Sequence, residues 1–430
     1  MACLPPALPA APPFGDAPPP AGAVIRLVLL CTVLASAWAA RSVFNPLQEL
    51  ARGDLSLDDV RIGLVQGAAM SIPSALLAIG LGRLIDTRNR VHILIVLALL
   101  TMLGSSATGL STSFETLFAA RALAGLGLLQ ETVVISLVAD LFPPERRGRA
   151  NILIVVGEYA GSALGFALAG WLMPLAGAIW SGDPGDGGWR AVQIGFGLLG
   201  LSTAIPLVWL REPARHECGA AAGAGFGESW SALMRMGALL WPLLIAQIAM
   251  IAANNAASVW SVSVFVRDFG LTPAHGGKLA AGAMFVPPLL GAAIAGVMAD
   301  RLRIRGGGAV FVAVIAAAAA IPAALFPLAA TPTLSAMLLA LLMMAHAAAG
   351  LGGATLGVLA IPNELRGLWF GISNALTALI SFALTPVLIG WLGESAGGAH
   401  ALATVLAMVL LVAGTVALGG FALAWRALRG

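Results

Sequence analysis

The sequence predicts an all-α integral membrane protein of twelve transmembrane helices, built as two similar halves of six. Three observations carry that prediction. Hydrophobic residues fill 59% of 430 positions and charged residues 10%, with a mean hydropathy of +0.94. A soluble chain is about a quarter charged, so most of this surface must face lipid or other apolar helices. Apolar runs of about 20 residues recur along the chain, each long enough to cross ~30 Å of hydrocarbon as a helix. Finally, two unrelated polar motifs repeat at nearly one offset. Gly82-Arg83-Leu84-Ile85-Asp86 returns as Gly296-Val297-Met298-Ala299-Asp300, and Pro143-Pro144-Glu145-Arg146-Arg147-Gly148 returns as Pro362-Asn363-Glu364-Leu365-Arg366-Gly367. The offsets, 214 and 219 residues, are about half the chain, as duplication requires.

Taken in order, residues 1–23 hold eight prolines among alanines, with Asp16 as the single charge. Without a basic start this is a poor signal peptide and reads as a disordered tail. The first half, 24–210, places spans at 24–46, 60–83, 90–110, 113–140, 149–174 and 190–210. Residues 211–236 form a linker, with a short surface helix expected near Trp230. The second half, 237–425, places spans at 237–265, 277–299, 307–328, 332–359, 366–392 and 399–425, and 426–430 close the chain. Pro287-Pro288 and Pro386 should kink spans 8 and 11. Gly350, Gly352, Gly353 and Gly357 suit close helix approach on span 10.

Orientation follows from the basic residues. Sixteen lie on the side of the termini, among them Arg83, Arg88, Arg90, Arg146, Arg147, Arg301 and Arg366, against five on the other. By the positive-inside rule both termini are cytoplasmic, in a multi-pass protein of the inner or plasma membrane. Cys3, Cys31 and Cys218 show no pairing or metal spacing and read as free thiols. There is no P-loop, H-E-x-x-H or G-x-S-x-G, and no soluble catalytic domain fits. No catalytic residue, cofactor or metal is therefore expected, no nucleic acid is expected as a partner, and the chain is expected to be a monomer.

Ionisable groups at membrane depth are costly and default to function. Arg41 on span 1 and Arg121 on span 4 fall at similar levels and can offer guanidinium forks to an anion. Each can equally be a structural arginine held by carbonyls. Glu131 and Glu158 fall at one depth if spans 4 and 5 fold about Pro144-Glu145, so one of them can hold a proton and release it as a cavity opens. Tyr159, the only tyrosine, stands beside Glu158 and can meet substrate or a neighbouring helix. In the second half the polar features are Asn254-Asn255, His346 and Asn374. The two asparagines point about 100° apart on a helix, so only one is expected to line a cavity. His346 lies among Met343, Met344 and alanines, a setting equally suited to packing.

Twelve spans in two halves with the hinge G-x-x-x-D-x-x-N-R (Gly82, Asp86, Asn89, Arg90) resemble the major facilitator superfamily of secondary transporters. Arg121-Ala122-Leu123-Ala124-Gly125-Leu126-Gly127 looks like that family's R-x-x-x-G-x-G. The resemblance implies alternating access and a conformational latch of Gly82, Asp86, Arg90 and Asp140, echoed by Asp300 and Arg301. Within the superfamily the first half looks most like the spinster-type lysolipid and sphingolipid transporters. The residues that carry this are Asn89-Arg90, Ala139-Asp140-Leu141-Phe142, Gly161-Ser162-Ala163-Leu164-Gly165 and Arg41. Ala40 and Leu128 stand where that group carries acids, so its manner of proton coupling is not carried over. The resemblance implies an amphipathic anionic substrate, lysolipid or sphingolipid-like, with membrane lipid and protons as candidate partners. Small organic anions and hydrophobic drugs are the alternative substrates, and a non-transporting receptor or scaffold is the remote one. Substrate is expected between Arg41, Arg121 and Tyr159 on one side and Asn254, His346 and Asn374 on the other.

Overall fold

The computed structural model describes residues 22–179, 188–215, 226–301, 308–398 and 400–428. The expected tail before residue 22, the middle of the linker and the side chain of Asp300 lie outside the described residues. Twelve described helices are long and apolar enough to cross a membrane, and no strand occurs among the described residues. Numbered spans 1 to 12 in chain order, they match the apolar runs to within a few residues at most ends. The main differences are extensions. Span 1 is Ala23–Ser42 continued by Phe44–Asp54, and span 5 runs Pro144–Ile179. Polar residues such as Glu49 and Arg52 ended the apolar run in the sequence, yet their side chains find partners and the helix continues.

Helix ends are set by local chemistry. Asn89 caps span 3 (Arg90–Gly109) by accepting from the His92 N–H at 3.0 Å, and Ser113 with Thr116 forms a capping box on span 4, each satisfying otherwise orphaned amides. The prolines act unequally. Span 8 stays a single helix, Pro273–Arg301, through Pro287 and Pro288. Ahead of Pro386, span 11 instead loosens into a π-helical stretch, Thr377–Leu384. There the Thr385 hydroxyl donates to the Ile380 carbonyl at 2.7 Å, supplying a bond that the irregular ladder lacks. Such π segments recur at functional sites, and this one carries Ser381 and Phe382.

The duplication is visible in bonding. Arg147 Nε donates to the Phe142 carbonyl at 3.1 Å, and Arg366 Nε donates to the Ile361 carbonyl at 2.9 Å. Donor and acceptor are both displaced by 219. The linker helix Phe226–Arg235 buries Leu233 against the second half, with Trp230 6.5 Å from Trp241. A surface helix near Trp230 is thus present.

The halves meet asymmetrically across the membrane. We call the side where the chain enters at Ala23 and leaves at Ala427 the terminal face, and the other the far face. Toward the far face span 2 lies directly on span 11, with no room for side chains between them. A Cβ on Gly63 would sit 2.6 Å from the Pro386 carbonyl oxygen, and one on Gly390 2.3 Å from that of Asp59. Several hydrogen bonds join the halves at mid-depth and toward this far face. Gln48 donates to the Val259 carbonyl and to the Ser263 hydroxyl, both at 2.8 Å, and Asn45 donates to the Ser258 carbonyl at 3.0 Å. The molecule is therefore closed at the far face.

Candidate functional site

At mid-depth the two halves enclose a cavity of about 150 Å³, lined among others by Trp38, Arg41, Gln66, Glu158, Tyr159, Asn254, Asn255 and Phe382. Arg41 is eighteen residues from Ala23, and Asn255 is eighteen from Gly237. Each therefore sits ~27 Å along its helix. Arg41 Nη2 donates to Asn255 Oδ1 at 3.1 Å, and Asn255 Nδ2 donates to the Ser381 carbonyl at 3.0 Å. The separation of the first pair, 214, is the repeat offset itself. Equivalent positions of the two halves thus touch where spans 1 and 7 cross the pseudo-twofold axis.

The Arg41 guanidinium is held between two rings, its Cζ 5.3 Å from the Trp38 centroid and 4.5 Å from that of Phe382. These contacts orient a cation without neutralising it. Its Nη1 is buried with no hydrogen-bond partner, and Arg41 makes no ion pair among the described residues. Glu158 lines the same cavity with its Oε1 likewise unpartnered, whereas Glu131 is half-buried and outside the lining. Buried polar atoms of native proteins are normally paired. A cavity offering both an unmet donor and an unmet acceptor is built for something that enters it.

Several expected residues stand elsewhere. Arg121 does not line the cavity. It is fully buried behind it, donating to Gln66 Oε1 at 2.7 Å and to the Arg41 carbonyl at 3.3 Å, with Phe44 stacked 4.8 Å away. Gln66 in turn donates to Asn45 and Gln48, both at 2.7 Å. Arg121 supports the wall through Nη2 alone, and its Nε and Nη1 are buried without a partner, out of reach of the cavity. His346 is buried at 6% exposure without a partner on either nitrogen, and it is not among the cavity residues. Asn374 is exposed and also outside the cavity, because its helix (Asn363–Leu376) ends before the π segment that reaches it. Both adjacent asparagines line the cavity, not one, since it wraps around that side of span 7.

At the terminal face, Arg90 Nη1 meets Asp140 Oδ2 at 2.6 Å, and Arg90 Nε meets Glu212 Oε1 at 2.8 Å. Asp86 is not in this cluster. Its side chain is exposed, and only its backbone carbonyl takes part, accepting from Arg215. Arg215 also holds the carbonyls of Ile85 and Arg88, at 2.9 and 2.8 Å. The cause is geometric: the helix ends at Thr87 and Arg88 turns extended, which aims the Asp86 carboxylate outward. The linker acid Glu212 takes the place expected for it. Gly82 and Arg301 are exposed at the same face.

A second charge cluster, not expected from sequence, joins the halves at the far face. Arg267 ends span 7 and donates to both oxygens of Glu49, at 2.9 and 2.8 Å, and to both of Asp59, at 2.7 and 2.8 Å. Arg52 stands 3.1 Å from Asp59, and Glu394 accepts the Asp59 N–H at 2.5 Å. The signal was present, because Glu49 and Arg267 are 218 apart, within the range of the repeat.

The Major Facilitator Superfamily pattern matches residues 30–383. The chain belongs to the Major Facilitator Superfamily. Over 200 residues it is 31% identical to the 4-hydroxybenzoate transporter PcaK of Pseudomonas aeruginosa, a match covering 44% of this chain and 41% of that protein. Less than half of that relative is thus matched. Among solved structures, a bacterial homologue of the human lysosomal transporter Spinster superposes in its inward-facing unoccupied form with a TM-score of 0.73 at 19% identity. That superposition covers 95% of this chain and 98% of the other. The occupied inward-facing form gives 0.75 at 18% identity, covering 94% and 97%. A variant of the nucleoside transporter NupG gives 0.70 at 13% identity, covering 93% and 99%. As a superfamily member, this chain is a multi-pass transporter and not an enzyme.

Proposed function

We propose that the protein moves a small organic anion with a ring-sized apolar body, by alternating access of its two halves about Arg41. The observation that carries this reading is a guanidinium without a carboxylate partner at the wall of a cavity between the halves. A carboxylate entering there meets the free Nη1 and can take over Nη2 from Asn255, a charge-assisted pair. Loss of that bond uncouples spans 1 and 7 on the axis, so binding and rocking share one contact. Trp38 and Phe382 flank the same guanidinium and offer ring faces to an aromatic or alicyclic body.

Size supports the choice. A cavity of about 150 Å³ is the size that takes a single benzene ring, and drug-sized ligands occupy ~300 Å³ or more. The lysolipid implied by the spinster-like motifs has the same charge requirement, but its chain needs more room than this conformation offers. The matched stretch of a hydroxybenzoate transporter points the same way. Glu158, beside Tyr159 and unpartnered, is the group we assign to proton coupling, with Glu131 as its electrostatic neighbour. With both termini cytoplasmic, as the basic residues imply, the present state faces inward.

The test is uptake into proteoliposomes of radiolabelled benzoate and 4-hydroxybenzoate against a lysophosphatidic acid, with parent and Arg41→Ala protein. Saturable uptake of the ring acids, lost in Arg41→Ala, is expected. Movement of the lysolipid with no movement of ring acids refutes the reading.

A further inference from the structure

We infer that the groove between the terminal-face halves of spans 2 and 3 is a binding site for an anionic glycerophospholipid, separate from the central cavity. Here the two helices diverge and leave a cavity of about 720 Å³, nearly five times the volume at Arg41. Its wall is almost wholly aliphatic, with Leu81, Leu97 and Leu129 at the base. Leu77, Leu84 and Val96 on its flanks are 53%, 44% and 54% exposed. Leu77 lies ten residues above the helix end at Thr87, ~15 Å at helical rise. That is half the ~30 Å hydrocarbon thickness, so the slot spans one leaflet, as an acyl chain does.

The rim is of opposite character. The polar groups lining the groove are Arg88, Asn89 and His92, with no acid among them. Asn89 is occupied in capping span 3, and the neighbouring Arg90 is engaged by Asp140 and Glu212. Arg88 and His92 are exposed and make no side-chain bond among the described residues. Arg215 fixes the Arg88 carbonyl at 2.8 Å, so the arginine projects from an anchored stem. Asp86, the nearest acid in sequence, stands two residues before Arg88, exposed and outside the lining. An aliphatic slot one leaflet deep below two basic groups complements a phosphate head over an acyl chain. A soluble anion has no use for the slot, and a zwitterionic lipid gains little from the rim.

Native mass spectrometry of the full chain released from detergent tests this with dioleoyl phosphatidylglycerol and dioleoyl phosphatidylcholine in equal amounts. The arginine alone gives about a fivefold preference for the anionic lipid. Arg88→Gln with His92→Gln should abolish that preference while retaining phosphatidylcholine adducts, and Val96→Trp, which fills the slot, should reduce both. Arg426→Gln, an exposed terminal-face arginine outside the groove, should leave the preference intact. The polar double variant alters no packing, so the result stands even if Val96→Trp folds poorly. The inference is overturned if the parent shows no preference, if the preference survives the double variant, or if Arg426→Gln removes it equally.

Discussion

Replacing Arg267 with glutamine should open the far face. The side chain makes four charge-assisted hydrogen bonds between 2.7 and 2.9 Å to acids of the other half. Glu49 and Asp59 are only 9% and 8% exposed, whereas Arg267 is 20% exposed. Removing one partner of a buried ion pair costs ~3–5 kcal/mol, mostly because the remaining charge is stranded. Arg52, at 3.1 Å, still serves Asp59, and the partial exposure of Arg267 adds screening. Both effects point to the lower end, ~3 kcal/mol. Because these bonds join the halves, the penalty falls on the closed far face alone and shifts the closed-to-open ratio about a hundredfold. The assay uses a background with Cys3, Cys31 and Cys218 changed to serine and Ser258→Cys as reporter. Ser258 lines the central cavity behind the closed face. A membrane-impermeant maleimide added at the far face should label it about a hundred times faster in Arg267→Gln. Arg267→Lys keeps the charge but loses the fork, and should fall between. Labelling within twofold of the parent in both variants would refute the argument.

Three further outcomes follow from the same geometry. Glu158→Gln should abolish the response of uptake to an imposed pH gradient while leaving substrate exchange at equal pH, measured in proteoliposomes; unchanged gradient response would transfer the role elsewhere. Asp140→Asn strands Arg90 at one of its two acids and should lower thermal stability by ~2–3 kcal/mol. Asp86→Asn alters an exposed group and should stay within ~0.5 kcal/mol; a larger loss at Asp86 would contradict its placement. Finally, a Cβ at Gly161 would lie 2.1 Å from the Ala35 carbonyl oxygen, whereas one at Gly282 meets nothing within 4 Å. Gly161→Ala should therefore cost ~1–3 kcal/mol by forcing spans 1 and 5 apart. Gly282→Ala should be neutral or slightly stabilising, with thermal unfolding in detergent distinguishing the two.

The spans were legible because lipid imposes one rule on every residue it touches, and that rule is written in composition. The cavity was legible only in part: Arg41, Glu158, Tyr159 and Asn254 stood out, but the rest of its polar wall includes Asn45, Gln66, Ser162 and Ser258, residue types that serve equally well as packing bonds between helices. Arg121 and His346 show the converse. Charge or titratability at membrane depth marked both, yet neither lines the cavity, because burial alone does not say which way a side chain points. Asp86 stands apart from the Arg90 cluster in this conformation for a backbone reason, the extended turn at Arg88, to which a motif is blind.

What a sequence can supply, once duplication is recognised, is the offset as a contact map for the axis. Two halves related by a twofold axis bring equivalent positions together only where that axis runs. A separation near 214–219 therefore nominates facing pairs, and Arg41 with Asn255 and Glu49 with Arg267 both obey it. In each pair the two members differ, arginine facing asparagine in one and glutamate facing arginine in the other. A doubled arginine on the axis would repel itself, and a doubled asparagine would offer an anion nothing. The asymmetry between equivalent positions is thus what allows the halves both to hold together and to receive a charged cargo, and Asn255→Arg should abolish uptake while leaving the helices in place.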